Sequence, residues 1–298
     1  MKTKKTTFYL LETIILFLIT INLSAQSGLK IGDMQIWKLQ DAQISLKTTL
    51  LKDISQAEAQ KINGGSDTQT TPVNAFLIKT AKHVILVDAG IGKGTGSDSG
   101  KMLEQLKTIG IDPSSVDLIL ITHLHFDHIG GLTSPDGNRA FSNATIRLSK
   151  TESDFWLSDV NTIPAEQRER ARQIQKQLNP YIQAKVLKPF ISNEFIAEGV
   201  KGMEAYGHTI GHTVYSFTSK GKEFWCIGDL IHFGDIQFKM PNVSVAFDIN
   251  GKQAIESRIK FFNIAVNKHI PIGGAHLPEF LYLKKTGDSF IPEPIKNE

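Results

Sequence analysis

The sequence is short of cysteine, of net charge and of long apolar runs, and each shortage narrows what the protein can be. A single cysteine, Cys226, among 298 residues excludes an intramolecular disulfide and a thiolate metal cluster. The formal net charge is only +3, and three of the lysines lie at positions 2, 4 and 5, in a segment that we expect to be removed. No basic footprint for nucleic acid remains, which argues against a nuclease.

The N-terminal segment has a short basic start, an apolar run over 14–21 and the small-residue sequence LSA at 23–25. This layout is typical of a secretory signal peptide with cleavage after residue 25. The alternative is an uncleaved membrane anchor, but the strictly apolar stretch is shorter than the roughly 20 residues that a spanning helix needs. We therefore expect a signal peptide over 1–25, one folded domain over 26–298, and a periplasmic or secreted product without a membrane contact.

Apolar periodicity predicts alternating strands and helices along the rest of the chain. The predicted strands are 34–46, 74–80, 83–90, 116–122, 144–150, strands broken by glycine turns within 202–219, 222–233, and a final strand at 270–276. The predicted helices are 101–111, 151–159, 164–180 (between two prolines) and 250–269, and 64–72 and 90–101 are predicted loops. The glycine-rich loop lacks the spacing of a phosphate-binding loop. Two series of strands and helices favour an α/β fold layered helix, sheet, sheet, helix in one domain.

A dense group of metal-binding residue types follows the apolar strand 117–121, in the sequence ITHLHFDHIGG. On an extended strand end, His123 and His125 are two residues apart and point the same way. Asp127 and His128 come after the chain has turned, so they can face a second ion a few ångströms away. Each ion then needs further ligands from elsewhere in the chain.

Downstream residues of the right type stand beside glycines or at the ends of apolar strands. They are His208 and His212 in YGHTIGHT, Asp229 in CIGDL and His276 in GGAHLP. At such positions the backbone can turn a side chain toward a shared site. The sequence therefore predicts a site for two metal ions.

This set of motifs resembles the metallo-β-lactamase-fold hydrolases in order and spacing over residues 73–278. The run GDLIHFGDIQFKMPNVSVAFD, together with GGAHLP, is most similar to the methyl parathion hydrolase and lactonase-like branch. The resemblance implies a single-domain, four-layer αββα sandwich. It also implies hydrolysis at a centre with two metal ions.

The resemblance implies a role for each residue. One ion is held by His123, His125 and His212, the second by Asp127, His128 and His276, and Asp229 bridges both. Asp88, in the Asp-Ala-Gly sequence at 88–90, and His208 orient ligands without binding metal. Nitrogen and carboxylate ligands suit zinc, which we expect, and also manganese, iron or cobalt.

The chemistry expected of such a site is hydrolysis. Two divalent ions lower the pKa of a bridging water enough to give hydroxide near neutral pH, and one of them polarises the bond to be attacked. Asp127 is expected to orient that water and shuttle its proton, and Asp229 to hold the ions at the required spacing. The alternative, a purely structural metal site, is usually closed and rich in cysteine.

The candidates for substrate contact are Phe155, Trp156 and His232. Phe155 and Trp156 either line an apolar pocket or pack in the core. His232 lies where the resemblance to quorum-quenching lactonases would place a tyrosine, so it either contacts the substrate or points away. Cys226, in an apolar strand, is expected to be a small core residue.

The function expected is an exported hydrolase with two metal ions that attacks an ester-like bond in a small molecule: a lactone, carboxylic ester, phosphotriester or β-lactam. A homodimer is possible by analogy. One alternative is a glyoxalase II-type thioester hydrolase, against which export and the lack of a basic cluster argue. Another is a non-catalytic metal-binding protein that retains the fold, which would be expected to lack a ligand.

Overall fold

Six strands form the first sheet, in the order β1-β2-β3-β4-β5-β6. Their bounds are Leu29–Ile31, Met34–Lys47, Thr68–Lys79, Val84–Val87, Leu118–Ile121 and Thr145–Leu148. The first four strands pair antiparallel, whereas β4, β5 and β6 are parallel. Strand β5 is buried along its whole length, which explains its unbroken apolar sequence LILI. These bounds come from a computed structural model that describes residues 28–93, 98–191 and 193–295.

Seven strands form the second sheet, in the order β13-β12-β11-β10-β9-β8-β7. From β7 to β13 they are Phe195–Ala197, Val200–Glu204, Thr213–Ser219, Lys222–Cys226, Ile272–Gly273, Leu281–Thr286 and Ser289–Pro294. Only the pair β10 and β11 is parallel; the other pairs are antiparallel. The parallel pair brings the carboxyl ends of β10 and β11 to the same edge of the sheet.

Within the described residues, seven α-helices, α1 to α7, connect or cover the strands. They are Gln56–Ile62, Met102–Thr108, Phe126–Ile129, Lys150–Trp156, Arg168–Gln183, Gly234–Gln237 and Gly251–Lys268. The longest, α7, begins after Asn250, whose side chain accepts a hydrogen bond from the Gln253 amide, and ends at His269 in the left-handed conformation.

Three apolar clusters show how the layers pack. The cluster between the sheets contains Ile78 and Val87 from the first sheet and Phe224 and Cys226 from the second, so Cys226 is the core residue expected. Helices α2, α4 and α5 cover the outer face of the first sheet. Helix α7 covers the outer face of the second sheet. The predicted four-layer αββα fold is therefore confirmed.

Several predicted boundaries are wrong. Residues 68–72 were expected in a loop but form the start of β3, where they pair with the end of the long strand β2. Helix α5 begins at Arg168 and continues past Pro180, which lies in its last turn, where few helical hydrogen bonds remain to be lost. The chain also adds two strands, β12 and β13, after the expected final strand. Their outer residues are exposed lysines and prolines, so they lack the apolar alternation of a core strand.

The predicted signal peptide lies outside the described residues, and export therefore stays a prediction. Among the described ranges, no helix is both long and apolar enough to cross a membrane.

Candidate metal centre

The ligand-type side chains meet at one edge of the two facing sheets. His123 and His125 follow β5, and Asp127 and His128 lie on the one-turn helix α3. Asp229 and His276 follow the parallel strands β10 and β11, and His208 lies in the loop between β8 and β9. The strand order thus gathers residues from distant parts of the chain, as the sequence predicted.

These side chains form two groups that share one carboxylate. Within each group, ligand atoms lie within 4.8 Å of one another. The first group is His123, His125, His208 and Asp229; the second group is Asp127, His128, Asp229 and His276. Every member is buried except Asp127, which is partly exposed. Such an arrangement suits two metal ions a few ångströms apart.

Asp229 spans the two groups with its two oxygens. Its Oδ1 lies 3.1 Å from His128 Nε2, in the second group. Its Oδ2 lies 3.3 Å from both His208 Nε2 and His276 Nε2, and 3.7 Å from His123 Nε2. This placement is compatible with the bridging role that the family resemblance implies for Asp229.

Several ligand atoms at the centre lack hydrogen bonds. Among the described residues, His123 Nε2, His128 Nε2 and Asp229 Oδ1 are buried and make no well-aligned hydrogen bond, although the last two lie 3.1 Å apart. Leaving buried polar atoms unsatisfied is costly, so native proteins rarely do so without a reason. A bound cation satisfies such lone pairs, and this donor set of imidazole nitrogens and carboxylate oxygens fits zinc.

The other ring nitrogen of three histidines is held in place by an acceptor. His128 Nδ1 donates to Asp88 Oδ2 at 2.8 Å, His208 Nδ1 to Asp248 Oδ1 at 2.9 Å, and His276 Nδ1 to the Pro72 carbonyl at 2.9 Å. Metal-binding histidines commonly use one nitrogen in this way, which fixes the ring and leaves the other nitrogen for the ion. Asp88 contacts His128 in this way, and its role in orienting a ligand stays a prediction.

The structure distinguishes His208 from His212 at the first ligand group. His212 belongs to neither group: its Nδ1 donates to the Ala205 carbonyl at 3.1 Å, and its Nε2 accepts the Asp229 amide N–H at 2.9 Å. Burial and the nearby charge of His208 lower the pKa of His212 to about 3, which agrees with a neutral ring that accepts a hydrogen bond. His208 instead lies within the first ligand group, and His212 holds the backbone of Asp229; which of the two binds metal stays a prediction.

The turn before Asp229 requires glycine. Gly228 has a φ of +51°, and a Cβ there would lie 2.5 Å from His212 Nε2. Any larger residue would displace the ring that holds the Asp229 amide.

The protonation states also suit metal binding. Burial raises the pKa of Asp229, but the surrounding imidazoles, His128 first among them, lower it more, so it stays well below its usual value. Burial also holds the pKa values of His123 and His125 well below the usual value. Ionised Asp229 and neutral His123 and His125 are the forms that bind a divalent cation. Burial lowers the pKa values of His128, His208 and His276, but neighbouring carboxylates raise them more, so these three rings release a proton when an ion binds.

Both groups line a single cavity of about 270 Å³. Its apolar walls are Ile44, Leu46, Phe126, Ile174 and Phe247. The exposed side chain of Arg170 also lines it, with Nη1 3.3 Å from His125 Nε2. An apolar substrate with a polar bond at one end fits such a cavity.

Of the two alternatives for Phe155 and Trp156, the structure favours packing in the core. Trp156 is completely buried in the core beneath the first sheet, and Phe155 packs against that core with its ring perpendicular to Trp156. Neither lines the cavity. His232 does line it, with its ring stacked on His276 and Nε2 3.0 Å from Asp229 Oδ2. It therefore points into the site rather than away, and its contact with a substrate stays a prediction.

Sequence reasoning missed two buried acids beside the centre. Asp248 orients His208, and Glu152 accepts hydrogen bonds from backbone amides near the ligands. In the sequence, Asp248 lies just before helix α7 and Glu152 in the first turn of α4. Acidic residues are common at both kinds of position because they interact favourably with a helix N-terminus, so neither acid stood out.

Comparison with known proteins gives a consistent family. Residues 68–276 match the family model described as the metallo-beta-lactamase superfamily. A curated relative, N-acyl homoserine lactonase AiiA of Bacillus thuringiensis subsp. kurstaki, is 27% identical over 160 residues, which cover 47% of this chain and 56% of the relative. The chain thus spans little more than half the length of the curated relatives that it matches.

Solved structures resemble the chain over most of its length. The hydrolase AbOPH, described as a member of the beta lactamase superfamily, has a TM-score of 0.85 and 32% identity, covering 91% of this chain and 98% of its own. AidC, described as a dizinc quorum-quenching lactonase, has a TM-score of 0.82 and 26% identity, and the match covers 91% of this chain and 99% of AidC.

Proposed function

This chain belongs to the metallo-beta-lactamase superfamily, and on that premise we propose that it is a hydrolase that uses two zinc ions to open an ester-like bond, in the first place a lactone. The observation that carries the proposal is the pair of ligand groups that share Asp229 on one cavity. Seven side chains around two positions leave room for a substrate, whereas a structural site is closed by four ligands.

The residues that would hold the ions follow from the geometry. His123, His125 and His208 would hold the first ion and Asp127, His128 and His276 the second, with Asp229 between them. When bound, two such ions supply Lewis acidity and lower the pKa of water at the centre. The description of AidC as a dizinc enzyme supports zinc.

Asp127 is suited to move the proton of the attacking water. Its side chain is 24% exposed, whereas that of Asp229 is 2% exposed. Its Oδ2 lies 3.5 Å from His276 Nε2 and 3.7 Å from His128 Nε2, at the edge of the second group. With Oδ2 toward the second ion, the other oxygen, Oδ1, can accept a proton and release it to solvent, which the buried Asp229 cannot do.

His232 is placed to contact the substrate. Its Nε2 bonds Asp229, and among the described residues its buried Nδ1 has no hydrogen-bond partner. The ring of His232 nevertheless lines the cavity beside Asp229. We assign His232 to contact with the substrate.

The apolar walls support a lactone with an apolar substituent. Phe247 and Leu46 lie on the same cavity as the ligand groups, so they can cover a hydrocarbon portion while the ring bond faces Asp229. The lactonase relatives point to the same class of substrate. Aryl esters, phosphotriesters and β-lactams serve as competing substrates in the test below.

We expect close to two zinc ions per chain after mild purification, and hydrolysis that is fastest for lactones with an apolar substituent. Metal analysis of the purified protein measures the first quantity, and a panel of lactone, aryl ester, phosphotriester and cephalosporin measures the second. Removing the metal with a chelator should abolish activity, and adding zinc should restore it. If the fully active protein holds one zinc ion per chain or fewer, the proposed centre with two ions is wrong. If another compound of the panel is hydrolysed faster than the lactone, the proposed substrate class is wrong.

Arg170→Gln is expected to raise KM for lactones by roughly two- to tenfold with little change in kcat, as loss of one exposed hydrogen bond would. Arg170 has no ion-pair partner among the described residues, so its guanidinium is available to a carbonyl oxygen of the substrate. Steady-state kinetics with Arg172→Gln provides a matched control. Arg172 lies on the same helix and pairs with Glu169 at 3.2 Å. Equal effects of the two variants would show that Arg170 makes no specific contact.

A further inference from the structure

Glu152 is a buried carboxylate that joins two separate loops of the metal centre. It lies on helix α4 with its side chain fully buried. Its Oε1 accepts the Leu124 amide N–H at 2.9 Å, and its Oε2 accepts the Gly211 amide N–H at 2.8 Å. Leu124 stands between His123 and His125, and Gly211 lies three residues after His208.

We propose that Glu152 is a positioning residue that sets the affinity of the first ligand group for its metal ion. The proposal rests on the proposed function with two ions. His208 and His125 are 83 residues apart in the chain, yet His208 Nε2 lies 3.0 Å from His125 Nδ1. One carboxylate that accepts from both loops fixes the distance between them without touching the metal.

The attachment of Glu152 to the fold is rigid. Four residues later in α4, Trp156 is completely buried in the core of the first sheet. The loop that carries His208 lies against the helix backbone, because a Cβ on Gly211 would fall 2.3 Å from the Glu152 nitrogen. The first ligand group is therefore tied to the helical layer through Glu152.

The second ligand group is held by other residues. Asp88 orients His128 and the Pro72 carbonyl orients His276. The hydrogen bonds of Glu152 to the Leu124 and Gly211 amides hold neither of these side chains. A disturbance at Glu152 should consequently weaken one ion much more than the other.

Glu152→Gln tests this selectivity. Glutamine keeps the shape of the side chain but replaces one accepting oxygen with an NH₂ group, so one backbone N–H loses its partner. Competition with a graded set of chelators measures the two dissociation constants separately. We expect one ion to bind roughly 10- to 100-fold more weakly, the usual effect of losing a residue that orients ligands. Hydrogen exchange in the metal-free protein should accelerate at Leu124 and Gly211.

Asp41→Asn is the matched control. Asp41 is also buried and accepts two backbone hydrogen bonds, from Gly92 and Met102, each at 2.9 Å. Neither partner lies in a ligand loop. This variant should lower stability to a similar degree and leave both dissociation constants unchanged.

Each outcome decides the proposal. Equal weakening of both ions by Glu152→Gln, or equal effects of the two variants, would show a general loss of structure and overturn it. Unchanged affinities and exchange rates would also overturn it. If Glu152→Gln does not fold, Gly211→Ala, which forces the same loop off the helix, should weaken the same single ion. If the wild-type protein binds one ion or none, the proposed function fails, while exchange in the metal-free protein still decides whether Glu152 holds the loops.

Discussion

Asp229→Asn should weaken metal binding at one or both positions and slow hydrolysis by roughly a hundredfold or more, as the loss of a principal electrostatic element does. The change keeps the size of the side chain but removes the charge that offsets two dications. It also places an NH₂ group where either Oδ1, near His128, or Oδ2, near His208 and His276, now lies. An amide nitrogen cannot ligate an ion at that position, so one group loses its shared ligand.

Metal analysis and single-turnover rates measure the two effects of this change. Asp235→Asn serves as the control, because Asp235 is an exposed residue six positions later in the chain. The control should bind two ions and react at the wild-type rate. If Asp229→Asn retained both ions and near-normal rates, Asp229 would not bridge the two groups.

The ligands that are contiguous in the sequence could be predicted from the sequence alone. His123, His125, Asp127 and His128 follow the fully buried strand β5, and the structure places all four in the two ligand groups. Local geometry is sufficient there: an extended strand end presents alternate residues on one side, and a turn presents the next ones on the other. Local patterns were also sufficient for the four-layer fold, because two series of apolar strands and amphipathic helices predicted it.

The choice between His208 and His212 needed information that spacing does not contain. Both follow a glycine, and both lie in the same loop. In the structure, contacts to distant segments distinguish the two histidines. Gly207 adopts a φ of +126° where it packs against helix α7, and His208 Nδ1 donates a hydrogen bond to Asp248. His212 Nε2 accepts the amide N–H of Asp229. Each of these partners comes from a later part of the chain.

The sequence also did not determine which way the side chains of Phe155 and Trp156 point. The pair Phe155 and Trp156 ends helix α4, and either face of that helix could have met the cavity. Packing determines the direction of Trp156: helix α4 lies across the outer face of the first sheet, and Trp156 fills the space between the helix and the sheet. The apolar cavity wall instead comes from β2 and from the segment before α7, for example Leu46 and Phe247.

His208→Ala is expected to remove one of the two ions and most of the hydrolytic activity. The sequence alone predicted a much smaller effect, because it placed His208 outside the ligand set. In the structure its Nε2 lies 3.0 Å from His125 Nδ1 and 3.3 Å from Asp229 Oδ2, within the first group. The second group contains no atom of His208, so we expect its ion to remain.

His212→Gln provides the contrast on the same loop. His212 bonds the Asp229 backbone and packs its ring beside His123 and His208, outside both ligand groups, so this variant should keep two ions and a substantial part of the activity. It should lower the free energy of unfolding by about 1–3 kcal/mol, the cost of leaving a buried backbone N–H or carbonyl without its partner. Metal analysis separates the two variants, and denaturant unfolding of the metal-free proteins separates stability from binding. If His212→Gln lost an ion while His208→Ala kept both, His212 would be the ligand, as the family resemblance implies. Only removal of a direct ligand can cause the loss of an ion in one variant alone.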